Sequence, residues 1–127
     1  MANKIKILLI EDDPFLLSMY ATKFELEGFE IIFAEDGEKA LKVANKEKPD
    51  IILLDVLLPK MDGFEVLKEL KKNEETKAVP VILLTNLSQR DDVEKGLALG
   101  AVDYLIKAHF MPTEVVEKIK KILAEKK

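Results

Sequence analysis

Two uninterrupted apolar runs, Ile51-Ile52-Leu53-Leu54 and Val81-Ile82-Leu83-Leu84, constrain this chain more than any other feature. A strand with one wet face alternates polar and apolar residues. A run without alternation marks a strand buried on both faces, as in parallel sheets. Three further short stretches read as strands, Ile5–Ile10, Phe29–Ala34 and Val102–Ile106. Between them the apolar period lengthens to that of a helix. Asp13 before Pro14 opens the first helix, which carries Leu17, Tyr20, Ala21 and Phe24 and stops at Gly28. Asp36-Gly37 opens a second with Ala40, Val43 and Ala44 on one face, ending before Pro49. Asp62 caps a third with Phe64, Leu67 and Leu70; Ser88 caps a fourth with Val93 and Leu97, ended by Gly100. Pro112 opens the last, with Val115, Ile119 and Ile122 facing in.

Five strands alternating with five helices specify an α/β layer architecture with helices on both faces of a parallel sheet. Right-handed crossovers leave few arrangements. The expected one is the flavodoxin-like, doubly wound order 2-1-3-4-5. The 127 residues suffice for one core and not two, so residues 1–127 are expected to form a single domain. With no cysteine, disulfide scaffolds and thiol chemistry are excluded. Charges of both signs are mixed around a net of -4 with no basic stripe, which argues against direct nucleic-acid binding. The Lys-rich tail from Lys118 to Lys127 reads as a helix face. The start Met1-Ala2-Asn3-Lys4 and the short apolar run behind it are too polar and too short for a signal peptide or membrane span. A cytoplasmic protein is expected.

In open α/β sheets, ligands bind beyond the carboxyl ends of the strands, where strand order reverses. Strand 1 delivers Glu11 and Asp12 there, strand 3 Asp55, strand 4 Thr85 and strand 5 Lys107. Taken singly, each has an ordinary reading as a cap, turn or solvated residue; four strands delivering polar groups to one edge is a constellation. Three carboxylates in one crevice repel, and a hard divalent cation with oxygen preference relieves them. Lys107 adds a point cation and Thr85 a hydroxyl, which together form a cradle for a phosphoryl group. Asp55, at the end of a central strand, is the natural nucleophile.

The chain also resembles a known family over essentially its whole length. The resemblance rests on Ile7-Leu8-Leu9-Ile10-Glu11-Asp12-Asp13, on Leu53-Leu54-Asp55 with Leu58-Pro59-Lys60-Met61-Asp62-Gly63, on Pro80-Val81-Ile82-Leu83-Leu84-Thr85, and on Gly100-Ala101-Val102-Asp103-Tyr104-Leu105-Ile106-Lys107. These resemble the receiver domain of bacterial two-component response regulators. The resemblance implies phosphorylation of Asp55 from a phosphohistidine on a sensor histidine kinase or histidine phosphotransfer protein. It implies Mg²⁺ held by Asp12, Asp55 and the backbone carbonyl of Leu57, with Glu11 acting through water. Thr85 and Lys107 would bind the phosphoryl oxygens, and Tyr104 would be a switch that turns inward as Thr85 is drawn to the phosphate. The plainer alternative, which also serves for the resting state, is an edge-strand aromatic with a wet hydroxyl. Output would pass through helix 4, strand 5 and helix 5 to a downstream protein target. The charges on the last helix permit a phosphorylation-dependent homodimer. With no attached effector in these residues, output is expected to need a separate partner. Such a protein assists its own phosphorylation and dephosphorylation and is not a conventional enzyme.

Three departures stand out. Asn86 follows Thr85 where the family prefers a very small residue, and its side chain is expected to narrow access to Asp55. Ala108 follows Lys107 where the family usually has proline after a cis bond. A cis bond to alanine costs roughly 2.5–4 kcal/mol, so a trans bond with a rerouted loop, or visible strain, is expected. The loop Ala108-His109-Phe110-Met111-Pro112 is one residue longer than usual, and His109, the only histidine, is expected to be an exposed loop residue. Leu57 and Leu87 each lie two residues beyond a site residue, at the mouth of the site. Apolar groups there neither bind nor orient an attacking water, so slow loss of phosphate is expected.

Three rival readings compete, the first with the same architecture. A flavin-binding domain needs a phosphate-cradling loop rich in Gly, Ser or Thr after strand 1, where this chain has Glu11-Asp12-Asp13-Pro14. A phosphatase with an aspartate nucleophile commonly carries a second Asp two residues on, where this chain has Leu57. A receiver-like interaction module that takes no phosphate is the third, kept open by Asn86 and Ala108.

Overall fold

The computed structural model describes residues 4–125; the first three residues of the N-terminal stretch and the last two lysines of the basic tail lie outside that range. The strands are β1 (Lys6–Ile10), β2 (Glu30–Ala34), β3 (Ile51–Leu54), β4 (Val81–Thr85) and β5 (Asp103–Ile106). They alternate with α1 (Pro14–Leu26), α2 (Gly37–Glu47), α3 (Gly63–Lys72), α4 (Arg90–Ala98) and α5 (Pro112–Glu125). All strand pairs are parallel, in the order β2-β1-β3-β4-β5. The expected topology is the one observed.

The sheet divides the core by strand parity, because successive side chains point to opposite faces. Leu8, Ile10, Ile52, Leu54 and Leu83 pack with Ala40, Ala44, Val66, Leu67 and Leu70 from α2 and α3. Ile7, Leu9, Ile51, Leu53, Ile82 and Leu84 pack with Tyr20 and Phe24 of α1 and with Val115, Val116 and Ile119 of α5. Each fully buried aliphatic side chain contributes about 1.5–3 kcal/mol, so the paired layers hold the strand ends in fixed register. That register puts Ile10 beside Leu54 and Leu54 beside Leu83, so residues just beyond β1, β3 and β4 emerge together.

Helix starts follow the sequence with one exception. The carboxylates of Asp13, Asp36 and Asp62 accept from the backbone N–H groups of Phe15, Lys39 and Glu65 at 2.9, 2.9 and 3.1 Å. Ser88 does not cap α4: the N-cap is Gln89, which makes no side-chain cap bond. The chain turns helical only at Arg90, so the Ser88 hydroxyl sits one residue too early. Leu97 of α4 is 46% exposed rather than core. Gly28 and Gly100 stand just past α1 and α4 with φ of +93° and +113°, left-handed values that glycine adopts at low cost.

Candidate functional site

The backbone carries three acids to one point. Glu11 N–H donates to the Ala34 carbonyl and Asp55 N–H to the Ile10 carbonyl, each at 3.1 Å, so both residues extend the pairing of the strands before them. Carboxylate oxygens of Glu11, Asp12 and Asp55 lie within 4.8 Å of one another. Glu11 and Asp55 are buried, whereas Asp12 is exposed at the rim. Gly63 permits this packing: a Cβ there would lie 2.3 Å from the Asp55 carbonyl oxygen and 2.5 Å from Val56 Cα. The sequence alone did not mark Gly63 as a site residue. The signal was a glycine directly after a capping aspartate, where no tight turn needs one.

Lys107 reaches in from the far side. Its Nζ donates to Asp55 Oδ2 at 2.8 Å and to Glu11 Oε1, and its side chain is only 9% exposed. Asp55 Oδ1 accepts from the Leu57 N–H at 3.0 Å, which fixes the carboxylate plane. Glu11 Oε2 accepts from the Asp13 N–H at 3.0 Å. Burial pushes the Glu11 carboxyl up; the hydrogen bonds from Lys107 and Asp13 and the Lys107 charge pull the other way without cancelling it. For Lys107, burial works against the charge, yet hydrogen bonds to Asp55 and Glu11 outweigh it and hold the ammonium above its ordinary value. Lys107 is therefore a charged buried group with two charged partners, the arrangement that makes such burial tolerable.

Thr85, fully buried, ends β4, and its Oγ1 accepts from the Leu87 N–H at 3.3 Å. Tyr104 is 8% exposed, and its hydroxyl donates to the Leu87 carbonyl at 2.6 Å. The ring is thus already inside and its hydroxyl is bonded, so the edge-strand aromatic with a wet hydroxyl is not what is seen. Gly96 makes room for it, since a Cβ there would meet Leu83 Cδ1 at 2.4 Å and Tyr104 Cδ2 at 3.0 Å. Burial, then the Asp92 and Asp55 charges, push the Tyr104 phenol up to about 12.

At the mouth, Val56, Leu57, Leu58, Asp62, Phe64 and Leu87 line an open cleft of about 480 Å³. Leu57 is 56% exposed there. No cis peptide bond occurs among the described residues, and Lys107–His109 form a 3-10 turn. Of the two outcomes expected at Ala108, the rerouted trans loop is the one found, and His109 is exposed within it. Asn86 has a partner that the sequence did not suggest. Its Oδ1 accepts from the Ala108 N–H at 3.0 Å.

The family described as response regulator receiver domain matches residues 7–120. The chain belongs to the response regulator receiver domain family. The alkaline phosphatase synthesis transcriptional regulatory protein of Bacillus subtilis (strain 168) is 43% identical over 118 residues, 93% of this chain and 48% of that protein. The chain spans about half the length of the curated relatives it matches. Among solved structures, the receiver domain of Francisella response regulator 1452 superposes with a TM-score of 0.89 at 32% identity, covering 98% of this chain and 100% of that one. The CheY-like response regulator receiver domain protein of Methanospirillum hungatei JF-1 gives 0.91 at 28%, covering 98% and 97%. This is therefore a receiver domain of the two-component response regulators, with the fold that its strand order implies. Among the described residues, no helix is long and apolar enough to cross a membrane.

The donor chemistry of the receiver site fits a hard divalent cation. All three side chains offer oxygen, the preference of Mg²⁺. Three carboxylates face one ammonium, which leaves two negative charges for a divalent ion to balance.

Proposed function

We propose that this receiver domain is a phosphoacceptor switch in which Asp55 takes a phosphoryl group from a phosphohistidine of a sensor histidine kinase or a histidine phosphotransfer protein. The observation that carries the reading is the Lys107 ammonium, buried and shared between Asp55 and Glu11. A buried cation beside a carboxylate nucleophile is placed to receive an anionic group. An Asp55 oxygen attacks phosphorus, the P–N bond to the imidazole breaks, and the departing imidazole keeps the electron pair and takes up a proton. Lys107 then turns from the carboxylate to a phosphoryl oxygen. Thr85 donates its hydroxyl to another, which it reaches by giving up the contact with the Leu87 N–H. Asp12, Asp55 and the Leu57 carbonyl would hold Mg²⁺, with Glu11 acting through water; when bound, the ion neutralises charge between the carboxylates and the phosphoryl oxygens. The domain acts on itself and is not a conventional enzyme.

Tyr104 is the reporter. Its hydroxyl bond to Leu87 ties β5 to the loop after Thr85, so a shift of Thr85 changes what the ring can hold. The output surface in this reading is α4, β5 and α5, where Lys118 Nζ and Asp103 Oδ2 stand 3.6 Å apart across β5 and α5. A downstream protein target or a second phosphorylated copy would dock there. The setting is the cytoplasm, where such kinases present their phosphohistidine. Direct nucleic-acid binding by these residues is not part of the reading.

The test is intact-mass spectrometry after incubation with acetyl phosphate, with and without Mg²⁺, on wild type and Asp55→Asn. A Mg²⁺-dependent phosphoryl adduct on wild type alone supports the switch. No adduct on a folded protein rejects it and favours an interaction module that takes no phosphate. The mouth is mostly apolar, with Leu57, Leu58, Phe64 and Leu87 beside Asp62, whose carboxylate is engaged as the α3 cap by the Glu65 N–H, so the aspartyl phosphate is expected to hydrolyse slowly. A lifetime of only seconds at room temperature, followed by loss of the mass adduct, would contradict that.

A further inference from the structure

The two sequence departures nearest the site, Asn86 and Ala108, are the two ends of one hydrogen bond. Thr85 and Ile106 form the last register pair of β4 and β5. Beyond them the two chains separate, one into the β4–α4 loop and the other into the 3-10 turn Lys107–His109. The Ala108 N–H lies in the first turn of that short helix, where an amide has no acceptor within its own turn. Asn86 supplies one. Its neighbour on one side is Thr85, and the acceptor's partner is the residue after Lys107. A single side-chain bond therefore joins the backbones that carry the two groups expected to hold phosphoryl oxygens.

We propose that Asn86 is a positioning residue whose carboxamide, by holding the Ala108 N–H, fixes the backbone of Lys107 over Asp55 and makes the Thr85 and Lys107 loops move together. The geometry explains why the pair occurs together. A proline at 108 would have no N–H to give, and a very small residue at 86 would have no oxygen to receive it. An alanine at 108 without Asn86 would lose this side-chain tie and leave the turn to its own backbone bonds, such as Phe110 N–H to the Lys107 carbonyl at 3.3 Å. Lys107 would then lean on its two carboxylates alone. In the latched state, the loop between Thr85 and α4 carries three ties: Asn86 to Ala108, Tyr104 to the Leu87 carbonyl, and the Leu87 N–H to Thr85. Two of the three cross to the β5 side.

This inference rests on the phosphoacceptor reading for its rate effect and on geometry alone for its hydrogen bond, and the test separates them. The full chain carries Asn86→Ala, Asn86→Asp, Ala108→Pro and the Asn86→Ala/Ala108→Pro pair. Amide hydrogen exchange at Ala108 is read by NMR, and the maximal rate of Mg²⁺-dependent adduct formation and its half-saturating acetyl phosphate are read by mass. Asn86→Ala should speed Ala108 exchange about fivefold, the scale of one exposed hydrogen bond. Asn86→Asp, which keeps the acceptor, should retain the protection. The maximal rate should fall severalfold in Asn86→Ala and in Ala108→Pro, with the half-saturating concentration unchanged, and the double variant should be no slower than either. Losses that add in the double variant, or an Ala108 amide indifferent to Asn86→Ala, would overturn the proposal. If wild type takes no adduct, the phosphoacceptor reading fails on its own. The latch is then judged by exchange: loss of protection in Asn86→Ala with retention in Asn86→Asp upholds it, and any other pattern removes it.

Discussion

Two loops leave the same edge of the sheet, one after Asp55 and one after Thr85, and they are held in opposite ways. The first is built mainly of backbone, with one side-chain tie from the Leu57 N–H to Asp55 Oδ1 at 3.0 Å. Leu58 N–H bonds to Val56 O at 3.1 Å, Met61 N–H to Pro59 O at 2.7 Å and Gly63 N–H to Val56 O at 2.8 Å. Its helix is capped by Asp62, and Gly63 lies against the Asp55 carbonyl. The second makes no backbone turn bond from Asn86 to Ser88 among the described residues, and its helix lacks a side-chain cap. Side chains hold it instead, through Asn86, Thr85 and Tyr104. Backbone ladders open only with local unfolding, while single side-chain bonds exchange at a cost of about 1 kcal/mol each. The group that takes the phosphoryl in our reading is thus fixed, and the loop that would sense it is free to re-pair.

Glycine variants on the two sides should differ most. In Gly63→Ala the new Cβ meets backbone on both near contacts, the Asp55 oxygen and Val56 Cα, neither of which can give way alone. A loss of about 3 kcal/mol in urea unfolding is expected, at the upper end for overpacking. In Gly96→Ala the nearest atoms are side-chain ends, Leu83 Cδ1 and the Tyr104 ring. Overpacking of about 2 kcal/mol is there offset by about 1 kcal/mol of helix propensity gained. Equal losses would break the comparison. A large loss at Gly63 with a small one at Gly96, together with a Tyr104 ring displaced in NMR spectra, would sharpen it.

Tyr104→Phe tests the side-chain ties directly. Losing the hydroxyl bond to Leu87 should cost about 1 kcal/mol at neutral pH. The pH dependence has a definite sign. The phenol's folded value lies near 12, above its ordinary 10.0, chiefly through burial. Between those values the unfolded chain has released a proton that the folded chain keeps, so stability falls as pH rises. That contribution is complete below pH 10 and lost as pH passes through 12. Tyr20, the other tyrosine, is also raised by burial, and Lys107 is raised by its carboxylate partners, so both slope the same way. The difference between wild type and Tyr104→Phe in absorbance titration isolates the phenol. A midpoint near 10 would show that the ring is not held inside.

The same contrast governs what the sequence could disclose. Strand order, both core faces and the convergence of Glu11, Asp12, Asp55, Thr85 and Lys107 were legible, because period and strand-end position are local signals that register turns into geometry. Three of the four predicted capping acids or hydroxyls hold, and each is an aspartate directly before the first helical residue. What escaped was long-range and made by side chains. For Asn86 the bond to Ala108 was not legible, since nothing in its neighbourhood shows that an amide 22 residues later needs an acceptor. Ser88 looked like a cap because the start of α4 carries no proline or glycine to mark the turn. The inward Tyr104 depends on Gly96, eight residues earlier on another element, and pattern alone does not join them.

The smallest expected effect is the most pointed, because it removes the contrast instead of one of its members. Gln89 already has the extended conformation of an N-cap, with φ of -67° and ψ of 143°, but its side chain is too long to return to the first turn. In Gln89→Ser the hydroxyl can accept from the N–H of Asp91 or Asp92, a gain of about 0.5–1 kcal/mol. The backbone needs no adjustment, so the gain should appear in urea midpoints and in slower amide exchange at 91 and 92. If mobility of this loop belongs to the switch, the stiffened helix start should also reduce the spectral change at Tyr104 when beryllium fluoride and Mg²⁺ are added. Stability gained with an unchanged Tyr104 response would place the moving part upstream of Gln89, between Thr85 and Ser88, where Asn86 and Leu87 make their bonds.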